Sequence, residues 1–182
     1  KYTPSLGKVN VFIENKNKAS LLRFLVDRGA DVSHADYFGT TPLMIAVDDE
    51  AEDTVNLLLA NGADVNAQNA TGDHALLIAA KNNSQKIVTK LIQRGAHINT
   101  PNNSNVTALM FAAMKGNDEV IDVLIEEGVE LETKDCKSGM TALLAAANKG
   151  NLNTVQKLIR AGANYLTQNR LYECLIDHAR TS

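Results

Sequence analysis

The sequence predicts an all-α solenoid of helix-turn-helix units joined by short β-hairpin-like fingers. Glycines suited to ending a helix recur through the 182 residues at gaps of 33, 33, 33 and 34. They are Gly29, Gly62, Gly95, Gly128 and Gly162. Residues suited to starting a helix recur in a matching register, at Thr41, His74, Thr107 and Thr141. A fixed period of this length is typical of stacked supersecondary units that share one continuous core.

The clearest unit is the stretch Gly39–Gln68. Thr41 can cap the first turn of a helix, and Pro42 fits a position where no backbone N–H is needed. Gly62 suits the left-handed conformation that ends a second helix. Apolar residues recur between these signals at helical spacing, at Leu43, Ala46, Val47, Val55, Leu58 and Leu59. We therefore expect two helices in this stretch.

The stretch resembles the ankyrin repeat, whose pattern starts a helix with Thr-Pro-Leu and ends the next with Gly-Ala-Asp. The matching segments are GTTPLMIAV with LLLANGADVNAQ, GDHALLIAA with LIQRGAHINT, NVTALMFAA with LIEEGVELET, and GMTALLAAA with LIRAGANYLT. The resemblance covers nearly all of residues 19–168. It implies a single ankyrin-repeat domain over residues 1–182. The full repeats would be residues 36–68, 69–101, 102–134 and 135–168.

The two ends depart from the pattern. Residues 1–35 read as an incomplete first repeat, because Thr3-Pro4 lies five residues too early. They form either a capping repeat or the remainder of a longer array. Residues 169–182 contain one more apolar helix pattern without a partner, so they form either a C-terminal cap or a partial repeat.

Two inner repeats also depart from the pattern. Glu50 and Asn83 stand where glycine usually ends the first helix. Glu50 lies in an acidic run, residues 48–53, which is either a solvated helix junction or an anchor for a basic partner. His74 replaces the capping threonine, so we expect residues 69–101 to open more easily than their neighbours. Asparagine makes up about one residue in ten, a bias that suggests no function by itself.

Composition excludes several classes of function. A net charge of −3, with basic and acidic residues interleaved, argues against nucleic-acid binding. No apolar run approaches the length of a membrane span, and no signal peptide is visible. Cys136 and Cys174 have no metal-ligand spacing and read as free thiols. We therefore expect a monomeric cytoplasmic protein, or one in the host cytosol if it is a secreted effector.

The residues indicate no catalytic centre. The four histidines, at positions 34, 74, 97 and 178, are spread over different repeats without metal-ligand or triad partners. No phosphate-binding loop or nucleophile turn occurs. Cys136, beside Lys137, reads as an incidental surface thiol in preference to a reactive one. We expect a protein that is not an enzyme and that binds no cofactor or metal.

The resemblance implies binding through the concave side, made by finger tips and first helices. The tips would be Tyr37-Phe38, Ala70-Thr71, Asn103-Ser104 and Cys136-Lys137-Ser138. The helix positions that vary in the family correspond to Asp48, Asp49, Lys81, Asn82, Met114, Lys115, Asn148 and Lys149. These positions form a strip that is acidic towards the N-terminus and basic further on. Tyr37 and Phe38 would be hot spots, unless they pack against the next finger.

One position departs from the family throughout. Where the family often has histidine after Thr-Pro-Leu, this chain has Met44, Leu77, Met110 and Leu144. The family histidine links neighbouring repeats by hydrogen bonds, so that bracing is in doubt here. These four side chains would form either a buried apolar ladder or an exposed, methionine-containing binding stripe.

The favoured function is a non-enzymatic protein–protein interaction module, an adaptor or scaffold whose partner the sequence does not name. The alternative is a regulatory or targeting domain of a larger enzyme or of a secreted bacterial effector. A chain that starts at Lys1 and an unfinished last helix motivate this alternative.

Overall fold

A computed structural model describes residues 18–169, with side chains from residue 22 onward. This part of the chain folds into nine helices. They are α1 Lys18–Asp27, α2 Pro42–Asp48, α3 Glu52–Ala60, α4 Ala75–Lys81, α5 Gln85–Gln93, α6 Ala108–Lys115, α7 Asp118–Glu126, α8 Ala142–Asn148 and α9 Leu152–Arg160. The predicted features of residues 1–17 and 170–182, including the early Thr3-Pro4 and the last helix pattern, lie outside the described residues.

The first helix of each full pair begins at the predicted residue. The Thr41 hydroxyl accepts a hydrogen bond from the Met44 backbone N–H at 3.3 Å, and Pro42 follows at the first helical position. Thr107 and Thr141 cap α6 and α8 in the same way. His74 precedes α4 without a side-chain cap bond. The side-chain cap is therefore missing at that helix start, and the easier opening of residues 69–101 stays a prediction.

Each second helix ends two residues before its predicted glycine. Gly62 has φ +84°, and Gly29, Gly95, Gly128 and Gly162 share this left-handed conformation. The Ala63 N–H then bonds back to the Leu58 carbonyl, which satisfies a carbonyl at the end of α3. The glycine register therefore marks real helix ends.

The helices form two layers. The inner layer consists of the first helices α2, α4, α6 and α8, each of which packs against the next. The outer layer consists of α1, α3, α5, α7 and α9, in which α1 packs against α3, α5 against α7 and α7 against α9. A salt bridge between Glu52 and Lys86 joins α3 and α5. Each inner helix also packs against the outer helix that follows it. Contacts therefore run between neighbouring pairs, as expected of a solenoid.

The core is a continuous seam between the two layers. Small residues of the inner helices, such as Ala79, Ala80, Ala112 and Ala113, are fully buried and let the helices approach closely. Branched residues of the outer helices, such as Val88 and Ile121, fill the space between layers. The core therefore uses small side chains on one layer and larger ones on the other.

The fingers connect each outer helix to the next inner helix. No strand is assigned between residues 18 and 169, so the fingers are hairpin-like only in their hydrogen bonds. In the finger before α2, Asp36 N–H bonds to Thr40 O. In the finger before α8, Asp135 N–H bonds to Met140 O, which spans one residue more. The finger before α8 therefore contains one residue more, which widens its turn, and α6 and α8 still pack against each other.

Candidate functional site

The finger tips are joined into a ladder by backbone hydrogen bonds. Ala70 N–H donates to Phe38 O at 2.8 Å. Asn103 N–H donates to Thr71 O at 3.0 Å, and Cys136 N–H donates to Ser104 O at 2.9 Å. All four predicted tips take part. Each tip is therefore fixed relative to the next, and its side chains are held in a set order along the stack.

The fingers approach so closely that one position requires glycine. Gly72 has φ +77°, and a Cβ atom built there would lie 2.6 Å from the Asn103 backbone nitrogen. That nitrogen makes the bond to Thr71 O. A side chain at residue 72 would therefore disturb the contact between successive fingers.

Tyr37 and Phe38 form an exposed aromatic pair at the first tip. Tyr37 is 95% exposed and Phe38 is 65% exposed. Their rings meet edge to face, with centroids 5.4 Å apart and an angle of 84° between planes. The alternative in which Tyr37 packs against the neighbouring finger is therefore wrong. The pair is an exposed apolar feature of the kind that favours a contact surface.

A groove of about 300 Å³ lies between the inner ends of α2 and α4, and we call it the aspartate groove. Its acidic residues are Asp48, Asp49 and Asp73, and its floor is formed by Ile45, Ile78 and Phe111. The Asp48 carboxylate accepts a hydrogen bond from Asn82 at 3.0 Å. The Asp49 carboxylate has no hydrogen-bond or ion-pair partner within residues 18–169. Lys81 is exposed at the edge of the same groove.

A second groove of about 320 Å³ lies between α6 and α8, and we call it the methionine groove. Its apolar lining is Val106, Met110, Met114, Met140 and Ala145, and its rim carries Lys137, Asn148 and Lys149. Lys115 is the last residue of α6, next to Met114. None of these three lysines forms a salt bridge within the described residues.

Asp135 also borders the methionine groove, but its carboxylate is occupied by its own finger. It accepts hydrogen bonds from the backbone N–H groups of Lys137, Ser138 and Met140 and from the Ser138 hydroxyl. Burial by itself would raise the pKa of Asp135, but these bonds together lower it. Asp135 therefore stays ionised while holding the turn. Lys115, Lys137 and Lys149 outnumber it, so the net charge around the rim is positive.

The structure thus divides the predicted binding residues between two grooves and one tip. Asp48, Asp49, Lys81 and Asn82 lie at the aspartate groove, where Asn82 is half-buried through its bond to Asp48. Met114, Lys137, Asn148 and Lys149 lie at the methionine groove, beside Lys115. We call the surface formed by the finger tips and these inner-helix ends the inner face. It runs from acidic to basic along the stack.

The side chains that replace the family histidine are buried. Met44, Leu77, Met110 and Leu144 are each at most 2% exposed. The apolar-ladder interpretation is therefore confirmed, and the exposed binding stripe is wrong.

Hydrogen bonds between repeats are nevertheless present, and asparagines make most of them. Asn117 donates to Ala80 O at 2.7 Å, and Asn151 donates to Ala113 O at 2.8 Å, each reaching the preceding inner helix. Asn66 accepts from His97 N–H at 2.8 Å and donates to Gly95 O at 3.0 Å. Sequence reasoning missed this role of the asparagine bias. Recurrence at residues 117 and 151, one period apart, was the available signal.

His74 links the start of α4 to the finger that follows α5. It is 2% exposed, and its Nε2 lies 3.0 Å from Thr100 O in the next finger. Burial lowers the pKa of His74, against the raising effects of the Thr100 carbonyl and of Asp73. The neutral ring donates from Nε2 to that carbonyl. His74 is therefore a structural histidine.

The two grooves and the finger tips present exposed side chains along one face. Within residues 18–169, no group of three or more His, Cys, Asp or Glu side chains is placed to hold a metal ion. Cys136 is an exposed thiol at a finger tip. No described helix is long and apolar enough to cross a membrane.

Comparison with known families supports the reading of the repeats. A family model described as Ankyrin repeats (3 copies) matches residues 10–102 and 76–169, which together span most of the chain. Comparison with curated proteins finds no match.

Proposed function

The chain belongs to the ankyrin-repeat family, and from that premise we propose that it is an adaptor or scaffold that binds a partner protein through its inner face. Ankyrin repeats are generally protein–protein interaction modules, and proteins of this family are typically non-enzymatic. The observation that carries the proposal is the bonded ladder of finger tips with exposed side chains.

The mechanism is rigid display. The ladder and the apolar seam fix the tips before a partner arrives, so little ordering entropy is lost on binding. Tyr37 and Phe38 supply an aromatic contact at one end. Asp49 offers an unpaired negative charge, and Lys115 and Lys149 offer positive charges further along the stack. Shape and charge together would select the partner.

Affinity capture from cell lysate, read by mass spectrometry, tests the proposal. The inner-face variant carries Tyr37→Ala, Phe38→Ala, Asp49→Lys and Lys115→Glu. The matched outer-layer variant carries Phe24→Ala, Leu152→Ala, Asp53→Lys and Arg160→Glu, which are exposed residues of α1, α3 and α9. Both change two apolar side chains to alanine and reverse two charges of opposite sign.

The proposal expects a protein that the native chain and the outer-layer variant retain and that the inner-face variant loses. Equal far-UV circular dichroism of the three proteins would show that the fold is unchanged. Loss of the captured protein in the outer-layer variant alone would place the binding surface on the other layer and contradict the proposal.

A further inference from the structure

One position in each inner helix forms a row along the floor of the inner face. The row is Ile45, Ile78, Phe111 and Ala145, at intervals of 33, 33 and 34 residues. The first three are half-buried apolar side chains that fill the floor of the aspartate groove. At the fourth position the chain has only a methyl group. The methionine groove lies there.

The walls of that groove suit an aliphatic side chain. Met110, Met114 and Met140 line it together with Val106 and Ala145. Methionine is unbranched and polarizable, so it adapts to aliphatic groups of different shape. Met114 is also one of the few large hydrophobic side chains that stay exposed in the described chain. The groove is therefore apolar, adaptable and open to solvent.

The charges at the rim of the groove indicate which residues should flank that side chain in the bound segment. Lys137 and Lys149 line the rim without a salt-bridge partner among the described residues, and Lys115 lies beside it. The Asp135 carboxylate accepts four hydrogen bonds from its own finger. Acidic groups next to the inserted side chain would meet the three lysines.

The two grooves lie about two inner-helix spacings apart, because one lies between α2 and α4 and the other between α6 and α8. Packed helices are roughly 8–10 Å apart, and an extended chain advances about 3.3 Å per residue. An extended segment would therefore cross from one groove to the other in about five or six residues.

We propose that the partner contributes an extended segment whose aliphatic side chain, flanked by acidic residues, fills the methionine groove, and whose basic residue meets the aspartate groove about six residues away. This inference rests on the proposed function, since it names the chemistry of the segment that the inner face binds. The acidic-to-basic order of the face fixes the order of the charges in the segment. Comparison of the two peptide orders shows whether the basic residue lies on the N-terminal or the C-terminal side of the aliphatic one.

Fluorescein-labelled synthetic peptides test the inference by fluorescence anisotropy with the full chain. The reference peptide carries an arginine pair, a four-residue Ser/Thr spacer and the triplet Glu-Leu-Glu, which places the leucine six residues from the nearer arginine, and a second peptide carries the same elements in reverse order. Control peptides replace the leucine by serine, the glutamates by lysine or the arginines by glutamate.

One of the two orders should bind, and replacing leucine by serine should weaken that binding at least about tenfold, as expected for loss of a buried aliphatic side chain. Replacing either charged group should also weaken binding, more strongly at low ionic strength. Equal affinity for the leucine and serine peptides would overturn the proposal.

Ala145→Phe is the decisive variant of the protein. It places in the groove a residue that the previous repeat carries at the same position, Phe111. The affinity of this variant for the reference peptide should fall to the affinity that the native chain has for the serine peptide. Ala60→Phe, on the exposed end of α3, is the matched control and should bind as the native chain does. An Ala145→Phe protein that is folded by circular dichroism and still prefers leucine would overturn the proposal.

Other outcomes separate this inference from the proposed function. Should no peptide bind while the inner-face variant loses a captured protein, this inference fails and the adaptor proposal stands. Should the chain self-associate in sedimentation experiments and Ala145→Phe abolish that association, the occupant is a second copy of the chain and the proposal is wrong.

Discussion

At the scale of single residues, Glu50 has an unfavourable backbone conformation. It ends α2 at φ +53°, in the left-handed region, whereas Gly116 and Gly150 end α6 and α8 at φ +71° and +72°. An L-residue with a Cβ pays roughly 1–2 kcal/mol there. The Glu50 side chain is exposed and has no hydrogen bond or ion pair within residues 18–169 to offset this cost.

We therefore predict that Glu50→Gly raises the free energy of unfolding by about 0.5–1 kcal/mol. The gain is smaller than the strain that is relieved, because glycine increases the entropy of the unfolded chain. Urea titration followed by circular dichroism measures the change. Asn83→Gly is the control, because Asn83 has φ +59° but asparagine tolerates this region. An equal gain in both variants would contradict the explanation.

His74 gives the fold a pH dependence. Its pKa is lowered chiefly by burial, while Asp73 raises it and His97 lowers it. In the unfolded chain it titrates near its ordinary value of 6.5. Below that pH the unfolded state binds more protons than the folded state. The stability is therefore present above 6.5 and is lost as pH falls from 6.5 through the lowered pKa of the folded state.

We predict that the free energy of unfolding falls between pH 7.5 and pH 5.5, with a slope of at most about 1.4 kcal/mol per pH unit from this residue. His74→Thr should flatten that slope, since the other inner helices start with threonine and carry no buried charge there. Urea midpoints across the pH range measure both proteins. The same slope in both would show that other groups cause the pH dependence.

At the scale of helices, the residue that precedes each outer helix decides how one repeat is tied to the previous one. The series is Ala51, Ser84, Asn117 and Asn151. The two asparagines donate to carbonyls of the preceding inner helix. The Ser84 hydroxyl oxygen is buried without a hydrogen-bond partner in the described part of the chain. Its side chain is shorter than asparagine by the amide group that makes those bonds.

We predict that Ser84→Asn raises stability by about 1 kcal/mol, by donating to Val47 O as Asn117 donates to Ala80 O one period later. Ser84→Ala separates this gain from simple removal of the unpaired hydroxyl. Thermal unfolding of the three proteins decides the matter. If the asparagine variant is no more stable than the alanine variant, the new bond does not form.

At the scale of the whole molecule, the regular features could be predicted from sequence because they repeat. The period, the Thr41 cap and the Gly62 stop each depend on a few neighbouring residues. The hydrogen bonds between repeats could not be predicted, because they depend on which side chain reaches which carbonyl across the interface between one helix pair and the next. Asn117 precedes a helix, so its sequence position suggests a cap, yet its amide donates to the preceding repeat.

The same reason limited the prediction of the binding surface. The positions of the inner face follow from the register, and the structure places them at two grooves and one tip. The register does not predict which of these side chains are already engaged in hydrogen bonds or salt bridges. Asn82 is engaged by Asp48, and Asp135 is engaged by its own finger, whereas Lys149 forms no salt bridge within the described residues.

Because the main contacts among the described helices run within and between neighbouring pairs, the cooperativity of the stack depends on each joint, that is, on the interface between one helix pair and the next. The joint between α4–α5 and α6–α7 contains both the Gly72 approach to Asn103 and the Asn117 bond to Ala80. Weakening both at once should uncouple the two halves of the molecule. When the same kinds of substitution are divided between two different joints, each joint keeps its other contacts and neighbouring repeats should stay coupled.

We therefore predict that Gly72→Ala with Asn117→Ala unfolds in two urea transitions, with α2–α5 and α6–α9 losing amide protection separately in hydrogen-exchange mass spectrometry. Gly72→Ala with Asn151→Ala, which divides the damage between two joints, should keep a single transition at a lower midpoint. The two double variants share one substitution and differ only in which asparagine is lost. Identical unfolding of both would show that stability is shared along the whole stack and is not set joint by joint.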